Sequence, residues 1–96
     1  MKNTEVTISI VNYKSSVLVN DCIKSIIKFT KDLTYEIIVV DNNSDDDISE
    51  VVSCYKNVKL ILNKENRGFA AANNLALKHC KSKYFLLLNP DTMLLN

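Results

Sequence analysis

Five bulky apolar residues in succession, Tyr84-Phe85-Leu86-Leu87-Leu88, run into Asn89-Pro90-Asp91, and Pro90 is the only proline of the chain. An unbroken apolar run closed by a breaker predicts a strand buried on both faces, as in a parallel sheet covered by helices. Pro90 has no amide hydrogen and drives its predecessor out of the helical region, so the strand must stop there. This holds Asp91 at the carboxyl end of the strand, where open α/β sheets place their ligands. A second run, Glu36-Ile37-Ile38-Val39-Val40, ends in Asp41-Asn42-Asn43-Ser44. Two acidic tips on one sheet edge suggest a site for a metal-bound phosphate ligand.

The rest of the chain alternates in the same way. Residues 7–11 are rich in β-branched side chains and end at Asn12-Tyr13. Ser15 or Ser16 can cap the next helix, where Val19, Ile23, Ile26 and Ile27 fall on one face. After the second strand, Ser44 can cap a short helix through Val51 and Val52, with Asp45, Asp46 and Asp47 in its first turn complementing the helix dipole. Residues 58–62 read as a third strand ending at Asn63, and residues 69–79 as a third helix rich in good helix formers. Strand–helix alternation over four strands predicts a doubly wound α/β fold with a mainly parallel sheet and right-handed crossovers. At 96 residues the chain makes one domain, 1–96.

Composition and missing motifs exclude several chemistries. Net charge is +1, and eleven of the twelve basic residues are lysines scattered without a stripe, so nothing points to nucleic acid. No apolar run is long enough to span a membrane and the first residues lack a signal-peptide core, which predicts a cytoplasmic chain, with peripheral membrane attachment left open. Cys22, Cys54 and Cys80 are widely spaced and read as reduced thiols on helices. Gly68 is the sole glycine, so neither a Gly-x-Gly-x-x-Gly turn nor a P-loop exists. A phosphoacceptor domain would need an Asp where Asn63-Lys64 stands, and the lone His79, near a helix end, reads as solvated and supplies no hydrolase triad.

What remains is an edge of amides and carboxylates. Asn12, Asn42 and Asn89 suit the edges of a base and ribose hydroxyls, Asp41 can accept from either, and Asp91 can hold a divalent cation, since Mg²⁺ characteristically takes one or two protein carboxylates plus phosphate oxygens and water. In order and spacing, 7–13, Ile38-Val39-Val40-Asp41-Asn42-Asn43-Ser44, Asn66-Arg67-Gly68-Phe69-Ala70-Ala71-Ala72-Asn73-Asn74 and Leu87-Leu88-Asn89-Pro90-Asp91-Thr92 resemble the family 2 glycosyltransferases, and within them the bacterial rhamnosyltransferase-like branch.

The resemblance implies a glycosyltransferase A-type fold, represented by its N-terminal, donor-binding half, and inverting transfer from a dTDP- or UDP-linked sugar to a carbohydrate or lipid-linked acceptor. On this analogy Asn12 and Tyr13 lie beside the nucleoside, and Asp41 contacts base or ribose. Asn42, Gly68, Asn74 and Asn89 complete the nucleotide-sugar site, and Asp91 is the ligand for Mg²⁺ or Mn²⁺. Asn89 stands where the family's Asp-x-Asp motif begins with Asp, and Asn73 where many members carry Arg. The family's acceptor-binding half and its general base lie beyond the metal motif, so the chain reads as truncated before them and inactive alone. The alternative is a non-catalytic nucleotide-binding or assembly module.

Other residues have plainer roles. Gly68 either serves only a turn or also lets backbone approach the sugar-phosphate. Arg67 is expected to be a solvated loop residue, and one of Asn73 and Asn74 to face the site. In the family's strand order the fourth strand lies beside the first and the missing half would cover its other edge, so the resemblance implies a bare apolar edge here and self-association, as a homodimer pairing through that edge or another assembly.

Overall fold

The structure, a computed structural model, describes residues 4–90, so Asp91 and the apolar 93–95 segment lie outside the described residues. The elements follow in the order β1 (Val6–Asn12), α1 (Ser16–Phe29), β2 (Tyr35–Asp41), α2 (Ile48–Ser53), β3 (Val58–Leu62), α3 (Phe69–Lys78) and β4 (Tyr84–Leu88). All strands are parallel and ordered β3-β2-β1-β4. The expected doubly wound α/β architecture is present, with β1 inside the sheet and β4 beside it.

Side-chain alternation assigns the layers. Ile8 and Ile10 of β1 and Ile37 and Val39 of β2 pack against Val19, Cys22, Ile23 and Ile26 of α1 and against Ile48 and Val52 of α2. The opposite faces of the same strands, Val11, Ile38 and Val40, meet Ala72 and Ala76 of α3. Helices α1 and α2 thus cover one face and α3 the other. Small side chains let α3 lie close to the sheet, and the Ser9 hydroxyl donates to Asn73 Oδ1 at 2.8 Å within that buried layer. Asn73 therefore faces the sheet. Ile37 to Val40 are completely buried, each such side chain stabilising the fold by about 1.5–3 kcal/mol relative to exposure.

Several expectations are corrected. The run 84–88 is a strand but is not buried on both faces: Tyr84 is 59% exposed, Leu86 46% and Leu87 49%. It is an edge strand, and no described element covers its outer side. Ile27 points outward at 44% exposure, while Cys22 takes the inward place beside Ile23 and Ile26, because the α1 stripe turns toward 19, 22, 23 and 26. Only Cys22 lies within a helix; Cys54 is the C-cap of α2 and Cys80 follows α3, and none of the three is in a disulfide. Ser44 does not cap α2, whose N-cap is Asp47. Asn43 and Asp45 adopt left-handed φ values of 60° and 55°, so the chain loops before the helix begins and the acidic trio precedes its first turn.

Candidate functional site

In a parallel sheet every strand tip lies on the same edge, and the winding direction reverses between β1, which leads to α1, and β4, which follows α3. The connections diverge there and leave a crevice. At this position a cavity of about 310 Å³ is lined by Tyr13, Asn42, Asn66, Gly68, Phe69 and Asn89, with Pro90 closing one side. Tyr13, Asn42, Gly68 and Asn89, from four separate segments of the sequence, are therefore brought together. Tyr13 is 46% exposed and its ring carries the Lys14 ammonium 5.4 Å from the centroid.

Asn12 and Asp41 stand behind this surface. Asn12 is completely buried, and its amide nitrogen lies 3.0 Å from Asp41 Oδ1, 2.8 Å from Ser44 Oγ and 3.2 Å from each carboxylate oxygen of Asp46. Its carbonyl oxygen accepts from the Ser15 amide at 3.3 Å and the Ser15 hydroxyl at 3.2 Å. Ser44, itself buried, donates to Asp41 Oδ1. Residues opposite each other at the ends of neighbouring strands, Asn12 and Asp41, thus share one polar cluster with the following loop. The side chain of Asn12 is turned into the protein, away from the crevice.

Asn42 links three segments. Its amide donates to the Gly68 carbonyl at 3.2 Å, and its own carbonyl accepts from Asn63 at 2.9 Å. Gly68 is the N-cap of α3, with φ 92° and ψ 171°, and its amide donates to Asn66 Oδ1 at 2.8 Å. A Cβ at this position would meet nothing within 4 Å, so glycine is required here by backbone conformation, not by crowding.

The remaining predicted residues separate. Asn74 is exposed on the outer side of α3, in an adjoining groove of about 630 Å³ with Asn63, Lys64 and Arg67. Arg67 pairs with Glu65 at 2.7 Å, both largely exposed, so it is the solvated loop residue the sequence predicts. His79 is exposed as well. Sequence reasoning passed over Ser44 and Asp46 as parts of the Asn12 cluster. The signal available was the three-residue spacing of Ser44 from Asp41, which suits a local side-chain bond in a turn.

Among the described residues no group of three or more His, Cys, Asp or Glu side chains could hold a metal. The exposed Asn89 amide at the crevice wall is an oxygen donor of the kind a hard divalent cation takes, and Asp91, the metal ligand that the resemblance implies, lies outside the described residues.

Known proteins share both the sequence and the fold. An uncharacterized glycosyltransferase of Rickettsia conorii is 34% identical over 95 residues, which are 97% of this chain and 16% of that protein. Staphylococcus aureus TarS 1-349, solved in complex with UDP, superposes with a TM-score of 0.82 at 25% identity over 92% of this chain and 28% of that one. A mannosyltransferase of Pyrobaculum calidifontis, in complex with GDP-Man and Mn²⁺, gives 0.83 at 24% identity over 97% and 29%. The chain spans between 10% and 16% of the length of the first curated relatives it matches. The model for "Glycosyl transferase family 2" matches residues 7–95, nearly everything from the first buried strand onward. With the four-stranded parallel sheet and its crevice, this makes the chain a member of glycosyl transferase family 2.

Proposed function

We propose that residues 1–96 form a donor-binding unit, and that the crevice takes the nucleoside diphosphate of a nucleotide sugar in an inverting glycosyltransferase. The observation that carries this reading is the meeting of Tyr13, Asn42, Gly68 and Asn89 at the reversal point of a family 2 sheet. The exposed Tyr13 ring offers a flat apolar face to the base. Asp41, oriented by Asn12 and Ser44, accepts from the base or a ribose hydroxyl, so Asn12 acts by positioning. Asn42 holds the Gly68 carbonyl and with it the amino end of α3, whose free amides suit phosphate oxygens. Asn74 addresses the outer part of the donor from the neighbouring groove.

We assign Asp91, assisted by Asn89, to Mg²⁺ or Mn²⁺. When bound, such an ion compensates the charge of the departing nucleoside diphosphate. The acceptor hydroxyl, of a carbohydrate or lipid-linked substrate, attacks the anomeric carbon from the face opposite the nucleotide. No described residue is assigned as its base. The resemblance to the rhamnosyltransferase-like branch implies a pyrimidine donor, dTDP- or UDP-linked; among proteins of this fold TarS is solved in complex with UDP and the Pyrobaculum mannosyltransferase with GDP-Man. A cytoplasmic location accords with a nucleotide-sugar donor. Among the described residues no helix is long and apolar enough to cross a membrane.

Calorimetry with UDP, dTDP and GDP tests the reading. UDP or dTDP should bind more tightly with Mg²⁺ or Mn²⁺ than with chelator, and Asp91→Ala should remove that difference. Asp41→Asn should weaken free nucleoside and diphosphate alike, by roughly 1.5–3 kcal/mol, the worth of a hydrogen bond to a charged group. Equal affinity with and without metal ends the role of Asp91. Loss confined to the phosphorylated ligand moves Asp41 to the metal.

A further inference from the structure

The lysines that look scattered in the sequence are gathered by the fold. The ends of α1 and α3 and the starts of β2, β3 and β4 all lie on the amino edge of the sheet, opposite the crevice. Backbone bonds tie these segments together: the Glu5 amide donates to the Thr34 carbonyl at 3.0 Å, Tyr84 to Glu5 at 3.0 Å and Ile37 to Asn57 at 3.0 Å. Around this edge stand Lys28, Lys31, Lys56, Lys81 and Lys83, all exposed and none in an ion pair with a described residue. Lys28 complements the end of α1. Lys56, Lys81 and Lys83 lie in loops, and no helix terminus accounts for them.

Apolar groups stand among these charges. Phe29 is 37% exposed and Leu33 49%, and both line a shallow groove of about 590 Å³ with Lys28 and Lys31. The Lys28 ammonium lies 5.3 Å from the centre of the Phe29 ring, and Lys83 lies 5.5 Å from that of Tyr84. The acidic residues on this edge are Glu5, Asp32 and Glu36, and Glu36 is neutralised by Lys59 at 3.3 Å. The carboxyl edge has the opposite balance, with Asp41, Asp45, Asp46, Asp47 and Glu65 against Lys14, Lys64 and Arg67.

We propose that the amino edge of the sheet docks on an anionic lipid bilayer, with Phe29 and Leu33 entering the headgroup region between the lysines. Lysine stems carry charge at an interface while covering apolar surface, and aromatic rings favour that depth. A polyanion such as RNA would use the lysines but would leave the aliphatic Leu33 without a partner, so the bilayer is the better match. This orientation turns the crevice toward water, about one strand length from the bilayer, roughly 17–23 Å for strands of this size. A water-soluble donor can then reach it freely. The proposal does not depend on whether the crevice binds nucleotide.

Vesicle co-sedimentation of the 96-residue chain tests it, with phosphatidylcholine alone and with phosphatidylcholine mixed with phosphatidylglycerol. Binding should require the anionic lipid and weaken as salt shortens the screening length from about 8 Å. Each lysine contributes about fivefold, so the combined variant Lys28→Glu, Lys31→Glu, Lys83→Glu should bind at least about a hundredfold more weakly. Lys14→Glu, Lys64→Glu, Arg67→Glu makes the same change in net charge on the other edge and should bind like the parent. Leu33→Ser should weaken vesicle binding and leave binding to an RNA oligonucleotide unchanged. Equal loss in both triple variants, equal binding to neutral vesicles, or RNA binding at least as tight as vesicle binding would each overturn the proposal.

Discussion

Two amide hydrogens on Asn12 are shared among Asp41, Ser44 and Asp46, while its carbonyl receives both donors of Ser15. Asn12→Ala removes the centre of this cluster and leaves buried oxygens without donors, at about 1–3 kcal/mol for an unsatisfied group and more for a charged one. We expect a loss of about 2–3 kcal/mol in urea unfolding, and a variant as stable as the parent would show that water replaces the amide. Cys80 offers a second measurement. Burial pushes its thiol up, but hydrogen bonds from the Ser82 and Thr7 hydroxyls and the Ser82 backbone outweigh that and the opposing Glu36 charge, leaving it below the ordinary thiol value. The thiolate should therefore form at lower pH. Iodoacetamide labelling read by peptide mass spectrometry should inflect below a free cysteine peptide, and Ser82→Ala should raise the inflection. An inflection at or above the peptide's contradicts this. The residue types were legible in the sequence; the inward turn of Asn12 was not, because an Asn at a strand tip can face either a ligand or its own loop.

Gly68 decides where α3 begins, and α3 in turn forms one wall of the crevice. Its φ of 92° and ψ of 171° lie in a region open essentially to glycine, so Gly68→Ala should cost about 1–3 kcal/mol although no atom obstructs the new methyl. Chemical denaturation checks this, and an unchanged midpoint would mean that the α3 start relaxes at no cost. Elements were the best-read level of the sequence. Apart from the start of α2, the strands and helices fall within a residue or two of the periodicity expectation, because β-branched runs and helix-spaced stripes are local signals. The start of α2 escaped that reading. Two left-handed residues, Asn43 and Asp45, lengthen the loop, and single-residue φ reversals leave no periodic trace.

Across the whole molecule, β4 has no pairing strand on its outer edge among the described residues, and Leu86 and Leu87 are half exposed beside it. Bare backbone donors and acceptors flanked by apolar side chains recruit another strand. We expect the 96-residue chain to self-associate, through an isologous dimer if two β4 edges pair. Light scattering over a dilution series should show mass falling with concentration, and Leu87→Lys should shift the midpoint upward. A monomer at high concentration contradicts this expectation.

The runs 36–40 and 84–88 define what each source of information could settle. Both are apolar, both end in amide and carboxylate groups, and from sequence both predict buried parallel strands. The alternation of strand and helix determined the fold class, and parallel strands necessarily send Asn12, Asp41, Asn63 and Asn89 to one edge. Strand order was not contained in either run. Pairing between distant segments placed β2 at the centre, where Ile37 to Val40 are wholly enclosed, and β4 at the rim, where Leu86 and Leu87 are not. The same long-range pairing brought Tyr13, Asn42, Gly68 and Asn89 around one crevice and collected dispersed lysines on the opposite edge. Local sequence specifies periodicity and backbone breaks, whereas neighbours across a sheet are set by the joint packing of every layer, which no single segment encodes.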